Sequence, residues 1–204
     1  MFAGFGLGAG VIFVVTLVVS LVGLKSPAFV GKMLFRPYWL VRRNEWHRLI
    51  TSGFVHADGG HLLFNMLTFY FFAFSLERAI GTAWFVVLYF VGLVLSDVGT
   101  WVKHRNDAEY ASLGASGAIL SVLFAYIVYF PERSISLLFI PICVPAPVFA
   151  VLYLAYSWWQ SRASRGRINH DAHLGGALVG LLFVAIVDPS AYQRFFAVVG
   201  NLIN

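Results

Sequence analysis

Charge is scarce in this sequence. Of its 204 residues only 11% are Asp, Glu, Lys or Arg, against 60% hydrophobic and 17% aromatic, a balance far from that of soluble domains. A water-soluble fold with a single core is thereby excluded, and the chain reads as a polytopic membrane protein. Cysteine is nearly absent: the lone Cys143 has no partner for an internal disulfide and says nothing of redox compartment. There is no H-E-x-x-H motif and no second ligand cluster, so His170, Asp171 and His173 are not read as a metal site, and no cofactor is expected. The first residues lack the basic start and small-residue cleavage site of a signal peptide, so the first apolar run is expected to be a retained span. The net charge of +5 forms no contiguous tract. Nucleic acid is therefore not an expected partner, whereas loop and lipid headgroup contacts are.

What is present is a succession of apolar stretches. Spans are expected at about 8–26, 61–76, 82–102, 115–130, 147–159 and 172–187, giving an all-α, six-helix membrane bundle in a single domain over 1–204. The first is long enough for one helix of about 20 residues. Between the first two spans, 27–60 is basic and aromatic, which suits a segment lying at the membrane surface. Pro141, Pro145 and Pro147 interrupt the fifth apolar stretch and cannot continue a regular helix, so a kinked or partly re-entrant entry is expected there, and with it a candidate moving gate. The tail 188–204 suits a short interfacial helix.

Six spans put the starts of the second, fourth and sixth on one membrane side, and His61, Ser116 and His173 all lie near those starts. Ser116 stands between Gly114 and Gly117 at the head of a helix, where a hydroxyl is exposed beside unpaired N–H groups. Small residues in membrane helices usually serve packing alone. His61 and Asn65, four apart, share one helix face, and inside a bilayer such groups usually face the bundle interior or a wet cavity. Their alternative role is interhelical hydrogen bonding. Gly176 and Gly180 form a G-x-x-x-G face, with His173 one turn before Gly176. If that face packs on the Ser116 helix, base and nucleophile come within reach.

Four ordered motifs, W-x-R-x-x-T (Trp46, Arg48, Thr51), H-x-x-x-N (His61, Asn65), G-x-S-G (Gly114, Ser116, Gly117) and A-H-x-x-G (Ala172, His173, Gly176), resemble the rhomboid family of intramembrane serine proteases, in its bacterial six-helix form. The resemblance covers about Trp46 to Val187. It implies Ser116 as nucleophile and His173 as general base, a dyad with no required carboxylate. It also implies an oxyanion hole of His61, Asn65 and the Ser116 N–H, and a surface loop around Trp46 and Arg48. Transmembrane protein substrates cut near the membrane surface, a lipid bilayer, and a multi-pass location in a bacterial inner membrane follow as expectations. The alternative is a non-catalytic relative that binds transmembrane helices. The sequence departs from the family pattern at Leu120, where members often carry an aromatic that stacks on the base.

Other polar residues read as minor. Asp171 is two residues from His173 and points elsewhere on a helix. Asp97 is expected to reach the interface near a helix end, and His47, His56 and His104 are loop residues with solvated or structural roles. Eleven of the fourteen basic residues lie on the Ser116 side, which the positive-inside rule would place in the cytoplasm. The resemblance implies the opposite orientation and is followed here, because several of those charges belong to the surface segment.

Overall fold

An inner helix, α7 (Ser116–Tyr129), organises the bundle, and its residues from Gly117 to Val128 are buried except Tyr126. A helix that is apolar all round has no face for solvent or lipid and belongs inside. At ~1.5 Å per residue its 14 residues span about 21 Å, short of the roughly 30 Å hydrocarbon core. The computed structural model describes residues 6–136, 142–163 and 169–203.

Against α7 pack α5 (Gly59–Ile80), α6 (Thr82–His104) and α9 (His170–Val187), and α1 (Leu7–Leu24) packs on α5 and α6; these four helices are long and apolar enough to cross a membrane. α8 (Ala146–Ala163) packs on α7 and α9, and α10 (Ala191–Ile203) closes the chain as an amphipathic helix. Between α1 and α5 the surface segment is folded, with α2 (Pro27–Met33), α3 (Pro37–Arg42), α4 (Arg48–Thr51) and a 3₁₀ turn Ser52–Phe54. Phe69, Phe85, Tyr89, Ile119 and Val122 fill the centre of the bundle. Lipid is as apolar as these side chains, so close packing rather than escape from water holds them.

Two expectations need correction. The all-α reading omits a two-stranded antiparallel hairpin, β1 (Ser134–Ser136) and β2 (Cys143–Pro145), with Ile135 opposite Val144. Pro145 ends β2 and Pro147 lies in the first turn of α8, where a missing N–H is harmless. This hairpin, not a kinked helix, precedes α8; Pro141 lies outside the described residues. The second span does not stop at Leu76, since α5 continues to Ile80 and buries Glu77 to 2% exposure. Glu77 Oε1 and Oε2 accept the Gly8 and Ala9 amides at 2.9 and 2.8 Å, and Oε1 also accepts the Thr82 hydroxyl at 2.6 Å. One carboxylate thus satisfies the free donors of the α1 start and complements its positive end. Of the two roles expected for the loop residue His56, solvated or structural, it has the structural one: it is 1% exposed, with Nδ1 2.8 Å from Ser20 Oγ of α1.

Two measurements check these anchors. Glu77→Ala leaves two buried amides unpaired, at roughly 1–3 kcal/mol each, so thermal unfolding in detergent is expected to begin well below the wild-type temperature; an unchanged melting temperature contradicts the anchor. Burial pushes His56 down to about 3, aided by the charge of His61 and opposed by Asp58. Unfolded His56 regains its ordinary value near ~6.5 and takes up a proton that the folded form refuses. Its contribution to stability is complete above about pH 6.5 and falls as pH drops toward 3, by about 2 kcal/mol between pH 7 and 5. Denaturation at those two pH values is expected to show a pH slope in wild type that is smaller by this amount in His56→Gln.

Candidate functional site

Backbone contact between α7 and α9 comes first. A Cβ on Gly176 would overlap the Gly117 carbonyl oxygen, and one turn later a Cβ on Gly180 would overlap that of Ser121. Gly175 rests on α6, where a Cβ would lie 2.7 Å from the Ser96 carbonyl oxygen. Ser121 Oγ sits between the two helices, 2.9 Å from the Gly176 carbonyl oxygen and 3.2 Å from that of Gly117. Ser116 precedes Gly117 and His173 lies one turn before Gly176, so the touching glycines bring both residues to one level of the bundle.

Caps fix where those helices begin. Asp58 Oδ1 accepts the His61 amide at 2.8 Å and starts α5. Asn169 Oδ1 accepts the Ala172 amide at 3.1 Å and starts α9, while the Asn169 amide reaches Thr100 Oγ1 of α6 at 2.9 Å. α7 has no side-chain cap. The N–H groups of its first turn are consequently left facing the site, at the positive end of the helix dipole. Before it, Gly114 has φ +112° and its amide donates to the Ser52 carbonyl at 2.9 Å. A Cβ at Gly114 would lie 2.7 Å from His61 Cε1 and 2.9 Å from its Nε2. Glycine is thus required twice over, by conformation and by the imidazole seated on it.

His61 is half-buried, its ring edge-on to that of His56 at 4.8 Å between centroids. Asn65 is buried one turn below, with one amide proton on the His61 carbonyl at 2.9 Å and one remaining. Ser116 and His173 are both half-buried. Among the described residues no hydrogen bond joins them; His173 Nδ1 instead meets the Tyr153 hydroxyl of α8 at 3.0 Å. Contacts of this kind are often long in an unliganded site and tighten around substrate.

Beside Ser116 is a polar cavity of about 20 Å³, enough for one water. Ser52, Ser96, Asp97, Ser112, Gly114 and Asn169 line it together with Ser116, Gly117 and Ala172. Asp97 corrects the expectation of an interfacial acid: α6 continues to His104, nearly two turns further, and its inner face against α7 and α9 carries Asp97, 8% exposed. Asp171 turns from His173 to Lys103, at 2.8 Å. Trp46 and Arg48 do not line the cavity. Trp46 is exposed, whereas Arg48 pairs with Glu45 at 2.7 Å and donates to the Gly31 and Leu34 carbonyls at 3.1 Å each. Thr51 Oγ1 donates to the Met33 carbonyl at 3.1 Å, so this motif clasps the surface segment. That segment is tied to the loop before Ser116 by a reciprocal pair of 3.0 Å bonds between Phe35 and Ser112.

Sequence reasoning missed Tyr153, Asp97 and Asn169. For Tyr153 the one available signal was Leu120, whose side chain leaves His173 without an aromatic from that position of α7; a ring comes from α8 instead, 6.4 Å from His173 and inclined by 29°.

The Rhomboid domain model matches residues 43–190, the stretch from the surface segment through α9. Bacillus subtilis YdcA, named as a candidate rhomboid protease, is 34% identical over 157 residues, covering 76% of this chain and 74% of that protein. RHOMBOID-like protein 12, mitochondrial, of Arabidopsis thaliana is 31% identical over 72% of the chain, and Rhomboid protein 1, mitochondrial, of Saccharomyces cerevisiae 31% over 66%. The chain spans only 48% and 40% of the lengths of those two mitochondrial proteins. With a glycine-packed helical bundle whose polar motifs fall within the matched region, the chain is an integral membrane protein that belongs to the rhomboid family.

Proposed function

We propose that this protein is an intramembrane serine endopeptidase that cleaves transmembrane segments near the membrane surface, with Ser116 as nucleophile and His173 as general base. The observation that supports this reading is the α7–α9 glycine contact, with Ser116 at the head of α7 lining a small polar cavity and His173 in the first turn of α9, next to Ala172 of that lining. A serine hydroxyl attacks a peptide carbonyl effectively only when a base takes its proton. His173 Nε2 accepts that proton as the Ser116 Oγ–carbon bond forms. The oxyanion is met by the Ser116 N–H, the remaining Asn65 amide proton and His61, and losing one such donor typically costs on the order of 100- to 1000-fold in rate. His173 then passes its proton to the leaving amine nitrogen as the peptide bond breaks. A water from the Asp97-lined cavity attacks the acyl carbon, yields its proton to His173, and Ser116 is released carrying that proton.

Substrates must present an unwound stretch, because a helix hides its carbonyls in i to i−4 bonds. Helix-breaking or small residues near the cut are expected. We further propose that α7 and α8 complete six spans, that Ser116 faces the outer leaflet, and that the membrane is a bacterial inner membrane. Support for this last point is the alignment that covers about three quarters of both this chain and YdcA.

Ser116→Ala is expected to abolish cleavage of a labelled single-span substrate in detergent, with expression and melting temperature nearly unchanged. A fluorophosphonate probe is expected to label wild type and not the variant. Full cleavage by Ser116→Ala ends the assignment.

A further inference from the structure

Within the protease reading, we propose that Tyr153 of α8 is the positioning residue of the base, its hydroxyl oxygen holding the His173 Nδ1 proton so that the Nε2 lone pair is left for Ser116. An imidazole has two nitrogens, and the partner of one decides which carries the proton. A free histidine side chain keeps most of its proton on Nε2, the wrong nitrogen for a base that must accept there. In many serine hydrolases a carboxylate corrects this. Here the neighbouring carboxylate, Asp171, is engaged by Lys103 at 2.8 Å. The His170 ring meets the His173 ring at a steep angle, 5.6 Å between centroids, and supplies no acceptor bond. What faces His173 Nδ1 is the Tyr153 oxygen, at 3.0 Å.

A phenol can donate or accept, so the direction of this bond matters. Ser157, one turn along α8, is fully buried, and its Oγ has no partner in full hydrogen-bonding geometry. It lies close enough to the Tyr153 hydroxyl to interact with it. A buried, unpartnered oxygen is a ready acceptor for the tyrosine proton. With that proton directed to Ser157, the lone pair of Tyr153 faces His173 and Nδ1 must be the donor. The ring is held by Phe149, stacked at 5.7 Å, and Phe124, at 6.0 Å. Leu120 belongs to the same apolar cluster, and its modest size leaves the place that Tyr153 occupies. When His173 takes the Ser116 proton, the Nδ1–H to Tyr153 bond persists and steadies the imidazolium.

Tyr153→Phe keeps the ring and deletes the oxygen. Its kcat on a single-span substrate and its rate of fluorophosphonate inactivation are expected to fall together by about 10-fold, the size of one neutral hydrogen bond, while KM and melting temperature stay within error. In 15N-histidine NMR at neutral pH, the signal assigned with His173→Gln is expected to move from the Nδ1–H to the Nε2–H tautomer. Tyr153→Phe with kcat within twofold of wild type, an unmoved tautomer signal, or a melting temperature that falls in step with kcat overturns the proposal. Those results leave the protease reading standing if Ser116→Ala is inactive. An active Ser116→Ala removes that reading and the Tyr153 role together.

Discussion

Contact between the backbones of α7 and α9 is the constraint on which the rest depends. Gly176 and Gly180 each stand where a Cβ would strike the facing main chain, so at those two positions α9 brings no side chain between the helices. In lipid there is no solvent to drive helices together, and close approach is itself a source of attraction through dispersion and short polar contacts. Ser121 adds such a contact by lying between the carbonyls of Gly117 and Gly176. Ser116 and His173 sit just above this contact, so the packing that stabilises the bundle also sets their spacing. Under the proposed function that precision is needed, because a displacement of about 1 Å between base and nucleophile can cost roughly 100-fold in rate.

A second theme is the treatment of polar groups in an apolar medium, where each unsatisfied backbone donor or acceptor is costly. Glu77 closes the start of α1, Asp58 the start of α5 and Asn169 the start of α9. Arg48 gathers carbonyls at the end of α2. The start of α7 has no side-chain cap. Under the proposed reaction, its first-turn amides stand where negative charge develops in acyl transfer.

Much of this was legible in the sequence because hydropathy and motif spacing are local. The apolar runs located α1, α5, α6 and α9 to within a few residues, and the G-x-x-x-G face named Gly176 and Gly180 as contact points. The end of the second span at Glu77 and the place of Asp97 were misread for one shared reason. Hydropathy reports that a helix lies in the membrane but not which of its residues face inward, and each of these carboxylates is buried by a neighbour distant in sequence: α1 for Glu77, α7 and α9 for Asp97. The β1–β2 hairpin escaped because the prolines that forbid a helix say nothing of what replaces it. Tyr153 escaped because an aromatic on α8 is indistinguishable from its lipid-facing neighbours until the helix is placed. Leu120 could show that a partner was missing, not where another would come from.

The central claim is that glycine-mediated contact assembles the site, and Gly176→Ala tests it most directly, with Gly10→Ala as control because a Cβ there meets nothing within 4 Å. Fluorophosphonate labelling at position 116 should be measured in both, on protein shown by far-ultraviolet circular dichroism to retain its helices. The account predicts wild-type labelling for the control and a loss of at least about 10-fold for Gly176→Ala, since a shift of a fraction of an ångström between α7 and α9 suffices. Equal labelling of the two variants would contradict it.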